Sequence, residues 1–275
     1  MKPSAILLST AAMVAALLTD APADLLVGDT FESDVVNLSP RVALGTDPAG
    51  WGNDFGDSLN GNGLTDVSVE GVGSPQGGSQ SMLFYDSNGV DGRIAYSRTF
   101  TSTSSSNVMV TLDLRVNSVL NTAQDKFALR LFATTGLGIG FELSANGSST
   151  SLNMIPLSHT NASALQTITV GDWYRISLLA PSVDSGSPDW QMSLYHYASA
   201  TTNAYALTRP DAPSGGYWRI YLQSGYANAN TLDMNLDNVT VETVSVVPEP
   251  ATALLLFGGG LLMWRRLQRR GAARQ

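Results

Sequence analysis

Residues 108–116 read VMVTLDLRV. Val108, Val110, Leu112, Leu114 and Val116 fall on one face of an extended chain, and Met109, Thr111, Asp113 and Arg115 fall on the other. A period of two held over this length is the mark of a strand with one face in a core. The pattern repeats along the chain. KFALRLF sets Phe127, Leu129 and Leu131 inward, and GLGIGFELS does so with Leu137, Ile139, Phe141 and Leu143 before a turn at Asn146-Gly147. GRIAYSRTF, DWYRISLLA, DWQMSLYHYA, YWRIYLQSG and TLDMNLDNVTVETV continue the series. Turn residues separate these runs and no amphipathic helix of useful length interrupts them. Residues 24–246 are therefore expected to form one all-β domain, an antiparallel β-sandwich.

Composition removes several chemistries. The 275 residues include no cysteine, which excludes disulfides and cysteine-based zinc sites. Only His159 and His196 are available for histidine-led catalysis. Between residues 24 and 246 there are 21 acidic and 9 basic residues, a net of −12, while the last eleven residues hold five arginines and no acid. An acidic body is a poor match for phosphate backbones, so nucleic acid is not an expected partner.

The two ends read as addresses. Lys2 precedes an apolar run from Ala5 to Leu18, and Ala21-Pro22-Ala23 supplies small residues where a signal peptidase cuts. This is the three-part secretory signal, assigned to residues 1–23, with an uncleaved anchor as the alternative. At the other end, Ala251 to Trp264 would make a helix of about 21 Å against a hydrocarbon core of about 30 Å, short for a permanent span. Gly258, Gly259 and Gly260 weaken it by roughly 1 kcal/mol each relative to alanine. Arg265, Arg266, Arg269 and Arg270 would hold its C-terminal side in the cytoplasm.

Pro248-Glu249-Pro250, a short hydrophobic helix and an arginine cluster, in that order, resemble the PEP-CTERM sorting signal of Gram-negative bacteria, here residues 247–275. The resemblance implies recognition and processing by an exosortase during export tied to exopolysaccharide production. Pro248, Glu249 and Pro250 would then be the recognition motif, and the four arginines the membrane-retention element. The precursor would sit transiently in the inner membrane, and the mature protein at the cell surface or in the extracellular matrix.

DTFES at residues 29–33, LQTITVGDWYRISLLA, DWQMSLY and LDNVTVE at residues 236–242 follow an order similar to concanavalin A-like, laminin-G-like jelly rolls. Galactose-binding-like sandwiches open and close in a similar way and stay open as the alternative. In jelly rolls of this kind the first and last strands are neighbours, so the resemblance makes Asp29 and Asp237 candidate calcium ligands. DSNGVDG, with Asp86, Asn88 and Asp91, is a second acidic stretch that reads as a turn.

Catalysis is not expected. Glycoside hydrolysis needs two carboxylates flanking the bond, and the nearest approach is Glu32-x-Asp34 with Asn37 in place of a further Glu, while Glu142 stands alone. Trp51, Tyr85, Tyr195, Tyr197, Tyr217 and Tyr221 are candidates for stacking on sugar rings. Alternation puts Tyr195 and Tyr197 opposite Met192, Leu194 and His196, and puts Tyr217 and Tyr221 opposite Trp218, Ile220 and Leu222. The N-x-S/T tripeptides at Asn37, Asn146, Asn161 and Asn238 read as turn and strand-end residues. The sequence thus points to an exported surface or matrix protein that binds carbohydrate, or else to a structural matrix or adhesion protein.

Overall fold

The computed structural model describes residues 24–32, 52–53, 67–85, 94–135, 138–157, 163–209, 214–224 and 232–244. The signal-like segment, the tail, Trp51, Asp86, Asn88, Asp91 and His159 lie outside them, as do Asp34, Asn37 and Asn161. One compact unit runs from Ala23 to Val244.

Its described residues form fifteen strands: β1 (Leu25–Asp29), β2 (Gly52–Asn53), β3 (Val67–Glu70), β4 (Ser81–Tyr85), β5 (Ile94–Thr99), β6 (Asn107–Ser118), β7 (Lys126–Thr135), β8 (Ile139–Ala145), β9 (Ser151–Leu157), β10 (Gln166–Thr169), β11 (Trp173–Ala180), β12 (Asp189–His196), β13 (Thr201–Thr208), β14 (Ser214–Ser224) and β15 (Asp233–Val244). An eight-stranded sheet has the order β13-β12-β11-β6-β15-β4-β3, with β1 also on β15. A seven-stranded sheet has the order β10-β9-β8-β7-β14-β5-β2. Every strand pairing is antiparallel. The first and last strands are neighbours, Asp29 facing Val239 and Gly28 facing Thr240.

The alternation that defined β6 fills the core. Val108, Val110, Leu112, Leu114 and Val116 are all completely buried, and so are Phe127, Leu129 and Leu131 of β7 and Ile139, Phe141 and Leu143 of β8. Tyr174, Ile176 and Leu178 of β11 line the same interior. Burying one such side chain contributes roughly 1.5–3 kcal/mol, which makes this layer the main source of stability. The β8–β9 hairpin turns where expected, with Gly147 at φ 87° and Asn146 Oδ1 accepting from Ser148 N.

Register shifts in β15 and β14 change which residues face inward. In β15 the pairs with β6 run from Asp237↔Asp113 to Thr240↔Thr111, so three steps on β15 face two on β6. Asn238 absorbs the extra residue at φ 49°, a conformation asparagine tolerates better than most side chains. Met234 and Leu236 before the bulge and Val239 and Val241 after it all reach the core. In β14 the pairs Tyr217↔Ala133 and Arg219↔Phe132 spend two steps against one. This corrects the expected faces of YWRIYLQ. Tyr217 turns inward with Ile220 and Leu222 and is 1% exposed, whereas Trp218 turns outward and is 36% exposed. A sugar-stacking role for Tyr217 is thereby removed.

Candidate functional site

Asp113 stands on the outward face of β6 and is nevertheless completely buried. Five hydrogen bonds converge on its carboxylate. Arg175 of β11 donates from Nε to Oδ1 (2.9 Å) and from Nη2 to Oδ2 (3.1 Å), a bidentate fork set by the direct pairing of the two residues. The Tyr197 hydroxyl donates to Oδ1 (2.9 Å), Ser74 Oγ to Oδ2 (2.7 Å) and Asn238 Nδ2 to Oδ2 (2.8 Å). Ser74 lies in the connection between β3 and β4, and Glu32 fastens the same connection by accepting from Ser79 N (2.7 Å), Ser79 Oγ (3.1 Å) and Gln80 N (2.8 Å). Glu32 thus has a structural partner set rather than a catalytic one.

Asp237 is the cross-strand neighbour of Asp113 and is equally buried. It accepts from Ser74 N at Oδ2 (2.8 Å) and from Asn238 N at Oδ1 (2.7 Å). Burial pushes its pKa up to about 6, with the charge of Asp113 adding to the rise and the hydrogen bonds opposing it. Burial also lifts the Tyr197 hydroxyl well above its ordinary range, reinforced by the Asp113 charge. Desolvation pulls Arg175 down, but the hydrogen bond and charge of Asp113 outweigh it and the guanidinium pKa is raised. With donors filling its lone pairs, Asp113 is a clamp that holds the β3–β4 and β12–β13 connections to strands β6, β11 and β15, not a base awaiting a substrate.

The same geometry bears on calcium. Both Asp237 oxygens accept backbone N–H donors, and the raised pKa favours the neutral acid, whereas a hard divalent cation selects the carboxylate. Among the described residues no group of three or more His, Asp or Glu side chains is placed to hold a metal. The donor set at Asp237 therefore does not suit a cation.

The outward face of the seven-stranded sheet has a different chemistry. The Arg219 guanidinium carbon lies 4.5 Å from the ring centroid of Trp218, 5.0 Å from that of Phe132 and 5.4 Å from that of Tyr221. Phe132 and Tyr221 meet edge to face at 5.8 Å. The register of β14 on β7 puts Arg219 opposite Phe132 and Tyr221 opposite Arg130, so two arginines and three rings share one face. Trp218 Nε1 donates to the Ala133 carbonyl (3.0 Å), which fixes the indole while leaving part of it in solvent. Rings held around a guanidinium are pre-ordered, and the exposed part of Trp218 presents a flat apolar face.

The remaining candidates have other partners. Tyr195 and Tyr197 are half-buried and meet edge to face at 5.0 Å. Tyr221 is only 6% exposed, and Tyr85 is 39% exposed. Tyr217 donates to the Pro181 carbonyl (3.0 Å). His196 stacks on Tyr174 at 4.5 Å and bonds Asp172 through Nε2 (3.0 Å). Glu142 pairs with Lys126 at 3.3 Å.

Residues 246–270 match the PEP-CTERM protein-sorting motif, which marks an exported protein processed at the membrane by an exosortase. No curated protein matches the sequence significantly. In fold the chain is similar to the marine PL-14 alginate lyase from Aplysia kurodai, at 11% identity and a TM-score of 0.53 over 80% of this chain and 99% of that one. It is also similar to alginate lyase Aly36B, at 8% identity and a TM-score of 0.50 over 81% and 98%. Lectin II from Ulex europaeus follows at 8% identity and a TM-score of 0.47 over 82% and 100%. Identities this low speak to architecture alone. The chain is an antiparallel jelly-roll β-sandwich that carries a PEP-CTERM sorting motif at its C-terminal end.

Proposed function

We propose that this is a surface or exopolysaccharide-matrix protein of a Gram-negative bacterium, delivered as a preprotein, sorted through its tail, and binding polysaccharide without cleaving it. The observation that carries the binding step is the outward cluster of Trp218, Arg219, Phe132 and Tyr221 beside Arg130. It presents the partly exposed Trp218 indole, held in place by its Nε1 bond to Ala133, as the kind of flat apolar face on which a sugar ring stacks. Glycoside hydrolysis needs two carboxylates flanking the bond, and Glu142 on β8 is held by Lys126.

Affinity electrophoresis in gels containing the producing cell's own polysaccharide tests the reading. The parent protein is expected to be retarded, and Trp218→Ala to weaken retention by about tenfold, equivalent to about 1.4 kcal/mol. Appearance of unsaturated or reducing ends in the same polysaccharide would replace binding with catalysis. For sorting, joint replacement of Pro248, Glu249 and Pro250 is expected to leave the sandwich folded and block removal of a tag placed after Gln275. Equal tag loss in parent and variant would show that the triplet is not read.

A further inference from the structure

His196 ends β12 opposite Tyr174 of β11, and the two rings stack at 4.5 Å with 12° between their planes. Asp172, immediately before β11, places Oδ2 3.0 Å from its Nε2. Ser199, in the turn between β12 and β13, places Oγ 2.9 Å from its Nδ1. A hydroxyl, an imidazole and a carboxylate thus stand in hydrogen-bonded series. No linear motif announces them, because Asp172 lies 24 residues before His196 and only the pairing of β11 with β12 brings the two together.

The carboxylate decides which nitrogen carries the proton. As a carboxylate Asp172 only accepts, so Nε2 holds the ring N–H and donates it, and Nδ1 is left to accept from the Ser199 hydroxyl. That is the state a general base requires, with the two ring nitrogens used in the reverse of the more familiar order. Tyr174 is buried, and its Oη accepts from Thr169 N (3.0 Å), so the ring against which His196 stacks is itself fixed. Serines in turns ordinarily bond main-chain groups. The Ser199 hydroxyl bonds side chains instead, His196 and the Thr201 hydroxyl at 2.6 Å. Its neighbour Ala200 is held at φ 52°, a left-handed conformation that is strained for alanine and that concentrates at functional sites. Ser199 and Ala200 are both exposed, so an incoming carbonyl can reach Oγ.

We propose that Ser199, His196 and Asp172 form a hydrolytic site for esters of short acyl groups. Ser199 Oγ attacks the acyl carbon while its proton passes to His196 Nδ1, and the main-chain N–H of Ala200, the residue after the nucleophile, faces the oxygen that takes up charge. The bond from the acyl carbon to the alcohol oxygen then breaks, and the alcohol leaves with the proton from Nδ1. Water attacks the acyl-serine, giving a proton to the same nitrogen; the acid departs and Ser199 regains its hydrogen. Asp172 is a positioning residue that holds Nε2–H in place through both halves. Because Ser199 and Ala200 are exposed, the site grips little of the acyl group, which favours short ones, and it leaves room for an alcohol of any size. Glycosidic bonds are untouched. The activity therefore does not rest on binding through Trp218, which belongs to the other sheet.

Hydrolysis of p-nitrophenyl acetate by the full chain in mild detergent is the test. The parent is expected to release p-nitrophenolate faster than the detergent buffer alone, and Ser199→Ala, with an unchanged circular dichroism spectrum, to lower kcat/KM by about tenfold or more. Asp172→Asn is expected to lower kcat with KM little changed, which loss of a purely structural contact would not do; a parent-like kcat removes Asp172 from the site. A fluorophosphonate is expected to label Ser199 in the parent, read by peptide mass mapping, and not in His196→Gln. A parent no faster than the buffer, or a folded Ser199→Ala as active as the parent, overturns the proposal. Should Ser199→Ala disturb folding, the label decides, and an unmodified Ser199 in the parent overturns it equally.

Discussion

On the eight-stranded sheet Asp113 is ringed by donors from Ser74, Arg175, Tyr197 and Asn238 and has no exposed surface; on the seven-stranded sheet Arg219 is ringed by Trp218, Phe132 and Tyr221, and Trp218 stays 36% exposed. Both clusters sit on outward faces, and both are centred on one charge. The difference lies in what each charge requires. A carboxylate removed from water must be saturated with donors, because a buried unpaired charge is very costly. A guanidinium packed among rings is stabilised by their π-faces, and a ring such as Trp218 loses little by meeting solvent. The first arrangement stabilises the fold, and the second is suited to recognition.

The largest effect belongs to the layer between the two faces. Leu112→Asp puts an unpaired charge in the core and is expected to abolish cooperative thermal unfolding in a calorimeter. Next comes the contrast itself. Asp113→Ala removes five hydrogen bonds and strands Arg175, and should cost about 3–5 kcal/mol in urea unfolding. Trp218→Ala, at a partly exposed site, should cost about 1 kcal/mol or less. Equal losses would mean that the two faces do not differ in role.

Asp237 sharpens the comparison through pH. Its folded pKa of about 6 lies above the ordinary 3.8, so its contribution is fully present below the lower value and is lost as pH rises through the upper one. The loss amounts to roughly 3 kcal/mol at most. Asp237→Asn should therefore flatten the stability profile across that interval, while the loss of one acceptor for the backbone N–H of Ser74 or Asn238 lowers stability by a similar amount at every pH. A parent and variant with parallel profiles would show that Asp237 does not titrate there. The smallest effect is expected from calcium. Because both Asp237 oxygens are already taken by backbone N–H donors and burial disfavours its charge, added calcium should leave the melting temperature unchanged. A rise that disappears in Asp237→Ala would restore an ion shared with Asp29.

Much of this architecture was legible in single strands. The run from Val108 to Val116 announces its own buried face, as do Phe127-Leu129-Leu131 and Ile139-Phe141-Leu143, and Asn146-Gly147 announces its turn. These are local properties, since alternation depends only on the pleat of the chain that carries it. The tail is legible for a related reason: its motif is a linear order of residue types from 246 to 270. The two clusters were not legible in this way. Nothing in VMVTLDLRV says that Asp113 is buried, because Ser74, Arg175 and Asn238 reach it from 39, 62 and 125 residues away. Nothing in YWRIYLQ says that Tyr217 and Trp218 exchange faces, because an extra residue shows only against the partner strand that lacks it. Strand identity and the inward face came from residues acting on their neighbours in the chain. Register, bulges and the charge each face carries were decided by which strands the tertiary structure laid side by side.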